Sequence, residues 1–256
     1  MLAFHRICFM CNNFFRSLFF GLAFLFFASL LLAIQGCQKN TVPSVAAAPV
    51  STDHVQKKTL GLGDSYTIGQ SILEADRFPN KTISILTTGG INLVYPSQII
   101  ARTGWTTQNL LNELSISGNV LAPPYDIVTL LIGVNDQFQH VDTGSYRIRF
   151  TQCLNKALEY SGQKKERVFV LSIPDYSVTP FGAGNAAQIA MEIDWFNAIN
   201  KQVTFQMGIN YTDITPSTRM AAADRTLIAP DSLHPSGKEY LKWANMLVPK
   251  MLPLLQ

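Results

Sequence analysis

Two stretches of this chain, residues 126–132 (DIVTLLI) and 167–173 (RVFVLSI), are nearly continuous apolar runs, one closed by Gly133 and the other by Pro174. A strand with one face in water alternates apolar and polar residues, whereas a run without alternation is buried on both faces. Between the two runs, from about residue 144 to 160, the pattern is helical. Two doubly buried strands joined through a helix require a mostly parallel sheet with helices packed against it.

The same alternation extends along the chain. Residues 58–62 form a short strand ending at Gly63, 79–86 read as helix, and 97–102 (SQIIAR) as a second strand. Thr106 or Thr107 caps a helix running through Leu114, with leucines at 110, 111 and 114 on one face. Further on come a helical stretch at 186–207, a short strand at 209–214 and a last amphipathic helix at 237–254. The expected fold is a three-layer α/β/α sandwich with about five mostly parallel strands, in which ligands bind outside the carboxyl ends of the strands.

At 256 residues and 47% hydrophobic content, the chain suits one catalytic domain. The apolar residues are unevenly spread, because nine of the sixteen phenylalanines fall in the first 36 positions. That segment carries Arg6 and Arg16 and no acid, then an apolar run at 18–34, then Gln35-Gly36-Cys37. This order of charged, apolar and small residues marks an export signal. Its end resembles a bacterial lipobox, which implies cleavage before a lipidated Cys37. An uncleaved membrane helix, since the run approaches the spanning minimum, and a plain signal peptide are the alternatives.

The domains are therefore read as a signal at 1–36, a flexible Pro- and Ala-containing tether at 37–53 and the folded domain at 54–256. Removing the signal lowers the formal charge from +3 to +1, so no basic face for nucleic acid is expected. Of the four cysteines only Cys153 remains free in the exported domain, which excludes a disulfide framework or a cysteine-based metal site.

Four short motifs fall at strand ends or in loops. Gly63-Asp64-Ser65 follows the first strand, where a serine at a helix start meets free N–H groups that favour a developing negative charge. Capping of that helix by Asp64 and Ser65 is the plainer use of the same residues. A phosphate loop fits poorly, because the Lys-Ser/Thr ending and the G-x-G-x-x-G spacing are missing. The G-x-S-x-G elbow is missing too, with Thr67 where its second glycine belongs.

Asp231-Ser232-Leu233-His234 lies on a loop, and a carboxylate three residues before an imidazole can reach Nδ1–H and leave Nε2 free to take a proton. An incidental Asp and His on a surface loop is the alternative, and His140 is the competing candidate base. Gly133-Val134-Asn135-Asp136 closes the best strand and offers an amide donor, although asparagine there is usually a turn residue. Gly104, in Arg102-Thr103-Gly104-Trp105, likewise ends a strand, where an ordinary turn is again the alternative.

Taken in order, GDSYTIG, ARTGWTT, GVND and DSLHPSG resemble the blocks of the SGNH, or GDSL, hydrolases over about residues 57–254. One departure is Tyr66, where the family has leucine. The resemblance implies a flavodoxin-like sheet and a serine ester hydrolase with Ser65 as nucleophile, His234 as base and Asp231 orienting the imidazole. It also implies an oxyanion hole from the N–H groups of Ser65 and Gly104 and the side chain of Asn135.

No metal or organic cofactor is expected. The family spans lipases, carboxylesterases, thioesterases and carbohydrate O-deacetylases. Without a long lid segment the lean is to short acyl groups on a small-molecule or glycan ester, with Tyr66, Trp105, Phe138 and Leu233 as candidate pocket residues. The protein is expected to be a monomer tethered to the bacterial cell envelope through Cys37. A non-catalytic surface binding lipoprotein is the rival reading, against which stand all five intact site residues.

Overall fold

The computed structural model describes residues 55–116 and 121–256; the segments expected as export signal and tether, and Cys37, lie outside the described residues. Among the described residues five strands form one sheet: β1 (Thr59–Gly63), β2 (Gln98–Ala101), β3 (Ile127–Leu131), β4 (Val168–Leu171) and β5 (Asn210–Thr212). Their order is β2-β1-β3-β4-β5, and all four pairings are parallel. This is the flavodoxin-like order, in which the chain reverses direction across the sheet between β1 and β3.

The helices are α1 (Ser65–Ile68), α2 (Phe78–Thr88), α3 (Thr107–Ile116), α4 (Val134–Phe138), α5 (Thr143–Tyr160), α6 (Ala186–Gln206), α7 (Thr215–Arg219) and α8 (Gly237–Leu255). Every strand and long helix read from the pattern is present, with ends shifted by three residues at most. The short α1, α4 and α7 are not visible as periodicity, because one turn is too short to repeat an apolar position. Right-handed crossovers place α2 and the C-terminal α8 on one face and α3, α5 and α6 on the other. The packing agrees: α2 lies on α8, α3 on α5, and α5 on α6.

All five residues of β3 are buried, as its unbroken apolar run requires. On the opposite side of the core, α8 presents Trp243, Leu247, Met251 and Leu255 at four-residue spacing, each buried and each contributing about 1.5–3 kcal/mol. Trp243 meets Tyr240 edge-on at 4.7 Å and Phe78 of α2 at 5.8 Å, and its indole N–H donates to Glu239 Oε1 at 2.8 Å. That face holds α8 helical through Pro249 and Pro253, which each remove a backbone donor. Cys153 is free and buried in α5, and burial pushes its thiol up. Among the described residues no helix is long and apolar enough to cross a membrane.

Candidate active site

The reversal point between β1 and β3 is where the four motifs meet. β1 ends at Gly63 and the chain turns at once into α1, whose first residue is Ser65. Asp64 is the helix cap, its Oδ1 accepting from Tyr66 N–H at 2.9 Å, so the capping use of this motif and the display of Ser65 coexist. The need for glycine at 63 is spatial: a Cβ there would lie 2.2 Å from the Leu131 carbonyl and from Thr67 Oγ1. β1, α1 and β3 close onto that point with no room for a methyl group.

His234 reaches Ser65 from a loop 169 residues away. Asp231 folds that loop by accepting at Oδ1 from the backbone N–H groups of Leu233 (3.0 Å) and His234 (2.9 Å). Its other oxygen, Oδ2, lies 2.6 Å from His234 Nδ1. One carboxylate therefore shapes the loop and orients the ring, which is the physical content of the D-x-x-H spacing. His234 Nε2 lies 2.9 Å from Ser65 Oγ, and both residues are only 4% exposed. These contacts are satisfied together when Nδ1 carries the proton and the serine hydroxyl donates to Nε2.

Ser71, which the sequence reading did not single out, also donates to Asp231 Oδ2 at 2.7 Å. It sits in the left-handed region at φ 67°, just past α1, with nothing in the local sequence to mark it. Desolvation pushes the Asp231 carboxyl up, but hydrogen bonds from Ser71, from the backbone and ring of His234 and from Leu233 N–H outweigh it and hold the group at about 2. Asp231 thus stays ionised well below the usual carboxylate range.

Asp64 has the opposite character. Burial, opposed by the Tyr66 N–H bond and reinforced by the charge of Asp136, raises it to about 8. The unfolded chain ionises this group as pH rises through about 4, whereas the folded chain keeps the proton until about 8. Its contribution to stability is therefore full below pH 4 and is lost between pH 4 and 8, by up to about 1.4 kcal/mol per pH unit. Asp64→Asn can still cap but cannot ionise, so its urea midpoint should fall less steeply than that of the native protein over this range. Equal slopes would show that Asp64 does not hold the proton.

Asn135 lies in the first turn of α4, a one-turn helix where a loop was expected. Its Nδ2 donates to the Trp105 carbonyl at 3.0 Å, and the second hydrogen of the amide is left for the cleft. The next residue, Asp136, is fully buried and accepts from Thr107 N–H (2.8 Å) and Thr107 Oγ1 (2.6 Å), tying α4 to the start of α3. Gly104 lies just before these anchors, between β2 and α3, at φ 80° with open space where a Cβ would point, so conformation is what calls for glycine.

A cleft of about 100 Å³ opens beside Ser65, Asn135 and His234, walled by Tyr66, Val134, Phe138, Tyr176, Phe181 and Leu233. Three of the four candidate pocket residues, Tyr66, Phe138 and Leu233, line it; Trp105 does not and packs on the core instead. Gly104 is likewise outside the lining and adjoins the site through Trp105. Tyr176 and Phe181 arrive from the segment after β4, where sequence spacing gives no cue. His140, the competing base, lies away from Ser65 and lines a neighbouring cavity. Among the described residues no cluster of His, Cys, Asp or Glu could hold a metal ion.

The family model described as the GDSL-like lipase/acylhydrolase family matches residues 62–240. No curated protein sequence matches. The fold is similar to that of a lipase/acylhydrolase from Enterococcus faecalis (18% identity, TM-score 0.61, covering 78% of this chain and 98% of that one). It is also similar to the psychrotrophic esterase EstA from a Pseudoalteromonas species (15% identity, TM-score 0.59, 78% and 99%) and to the acetyl xylan esterase AlAXEase (16% identity, TM-score 0.57, 74% and 97%). At these identities the neighbours speak for the fold, and the family match carries the activity class. The chain belongs to the GDSL-like lipase/acylhydrolase family and is a hydrolase of ester bonds.

Proposed function

We propose that this protein is a carboxylesterase for short acyl groups, working through an acyl-enzyme on Ser65. The observation that carries the reading is the hydrogen-bonded line from Ser65 Oγ through His234 to Asp231 at the carboxyl edge of β1. Ser65 Oγ attacks the ester carbonyl as its proton passes to His234 Nε2, and Asp231 stabilises the imidazolium. The carbonyl oxygen, now negative, is bound by the N–H groups of Ser65 and Gly104 and by the Asn135 amide. The tetrahedral carbon then expels the alcohol, which takes the proton from His234. Water, deprotonated by the same imidazole, cleaves the acyl-enzyme to the acid and free Ser65.

The size of the cleft supports the short acyl group. A cleft of about 100 Å³ closed in by Phe138, Phe181 and Leu233 suits an acyl chain of about two to four carbons better than a long one. With p-nitrophenyl esters of increasing chain length, kcat/KM is expected to peak at acetate to butyrate and to fall at least tenfold by octanoate. A profile rising to octanoate would refute the short-acyl reading, and hydrolysis surviving in Ser65→Ala would refute the nucleophile.

A further inference from the structure

We propose that the cavity beyond the Phe138–Phe181 pair is the subsite for the alcohol half of the ester, and that this alcohol is a sugar. The proposal rests on the esterase reading above and adds the substrate class to it. The cleft at Ser65 shares three wall residues, Phe138, Tyr176 and Phe181, with a second cavity of about 280 Å³. An ester has two halves, and the smaller space at the nucleophile holds only one of them. The larger one, almost three times the volume, is the adjoining place for the other.

The chemistry of that second cavity is polar, and its polar groups are held in position. Tyr176 Oη donates to Gln137 Oε1 at 3.0 Å, and Gln137 Nε2 donates to Glu192 Oε2 at 2.6 Å. Gln188 Nε2 donates to Glu192 Oε1 at 2.8 Å. The two glutamine bonds lower the Glu192 carboxyl below its usual range, so it is ionised, and each oxygen keeps a lone pair for a further donor. Asn185 and His140 add polar side chains to the same wall. An acyl chain placed here would strip water from a carboxylate and several amides without replacing its hydrogen bonds. Vicinal hydroxyl groups would replace them.

The boundary between the two spaces is aromatic. Phe138 and Phe181 are 53% and 54% exposed, with ring centroids 6.2 Å apart, and Phe181 lies 6.2 Å from Tyr176. Large apolar rings left in water at the mouth of a polar cavity suit a ligand with a C–H face and a hydroxyl edge. A pyranose ring has both. The Phe181 segment is tied to the catalytic loop through Phe181 N–H, which donates to the Ser232 carbonyl at 3.3 Å, so a sugar against Phe181 is positioned relative to His234.

The test compares p-nitrophenyl acetate with a mono-O-acetylated methyl pyranoside, using the native protein, Glu192→Ala and Gln188→Ala. Gln188 is exposed and Glu192 half-buried on α6, and thermal melts check that the variants fold. The ratio of kcat/KM for the acetylated sugar to that for p-nitrophenyl acetate is expected to fall about tenfold in each variant, chiefly through KM. An unchanged ratio, or native protein that cleaves p-nitrophenyl acetate but not the sugar ester, would overturn the proposal. Glu192→Leu is the converse probe: a rise in octanoate over acetate hydrolysis would assign the cavity to an acyl chain and overturn it as well. Failure of the native protein on p-nitrophenyl acetate would instead count against the esterase reading itself.

Discussion

Replacing His234 with alanine is expected to lower kcat for a short-chain ester by on the order of a millionfold, the loss seen when a triad base is removed from a serine hydrolase. Among the described residues Ser65 has no second base in hydrogen-bonding contact: His140 lines the neighbouring cavity, and Asp231 faces the far side of the imidazole. The fold should survive, because Asp231 shapes the loop through the backbone N–H groups of residues 233 and 234, which the substitution keeps. Asp231→Asn should cost less, on the order of ten-thousandfold, since Ser65 and His234 remain in place and only the orientation and charge of the ring suffer. Comparing the two kcat values beside their melting temperatures checks the ranking. A His234→Ala enzyme within tenfold of native would remove His234 as the base.

The second large effect is expected at Asn135, where alanine should lower kcat about a hundred- to a thousandfold, or about 2.7–4 kcal/mol. The amide is fixed by its bond to the Trp105 carbonyl, so it costs nothing to orient at the moment the oxyanion forms. The negative oxygen exists only after Ser65 has attacked, so the loss should appear in kcat with KM little changed. A near-normal kcat would exclude Asn135 from the oxyanion site, and a purely KM effect would make it a substrate-binding group instead.

How much of this was legible in the sequence follows from what pattern can carry. The doubly buried runs at β3 and β4 announced the parallel sheet, and the sheet in turn said that chemistry belongs at the carboxyl ends of the strands. Ser65, Asn135, Asp231 and His234 were readable as candidates because each sits in a short motif at a strand end or in a loop, and their roles came from the resemblance of those motifs, in order, to the SGNH hydrolases. Ser71 was not, since its role depends on a left-handed turn that brings it to a carboxylate 160 residues away. Phe181 and Tyr176 were missed for the same reason, because the segment after β4 has no period and its position is set by tertiary contacts. Trp105 shows the reverse error: an aromatic beside a motif that packs on the core. At Gly63 the tight approach of Leu131 and Thr67 is visible only in three dimensions.

Ser65 is the residue expected to carry the acyl group during turnover. A p-nitrophenyl alkylphosphonate, which places a tetrahedral phosphorus where the ester carbon would be attacked, tests it directly by mass spectrometry of the digested protein. One phosphonyl group per chain on the peptide containing Ser65, formed in step with loss of esterase activity and absent in Ser65→Ala, is the expected result. Full inactivation with the adduct on another residue, or no adduct with activity retained, would contradict it.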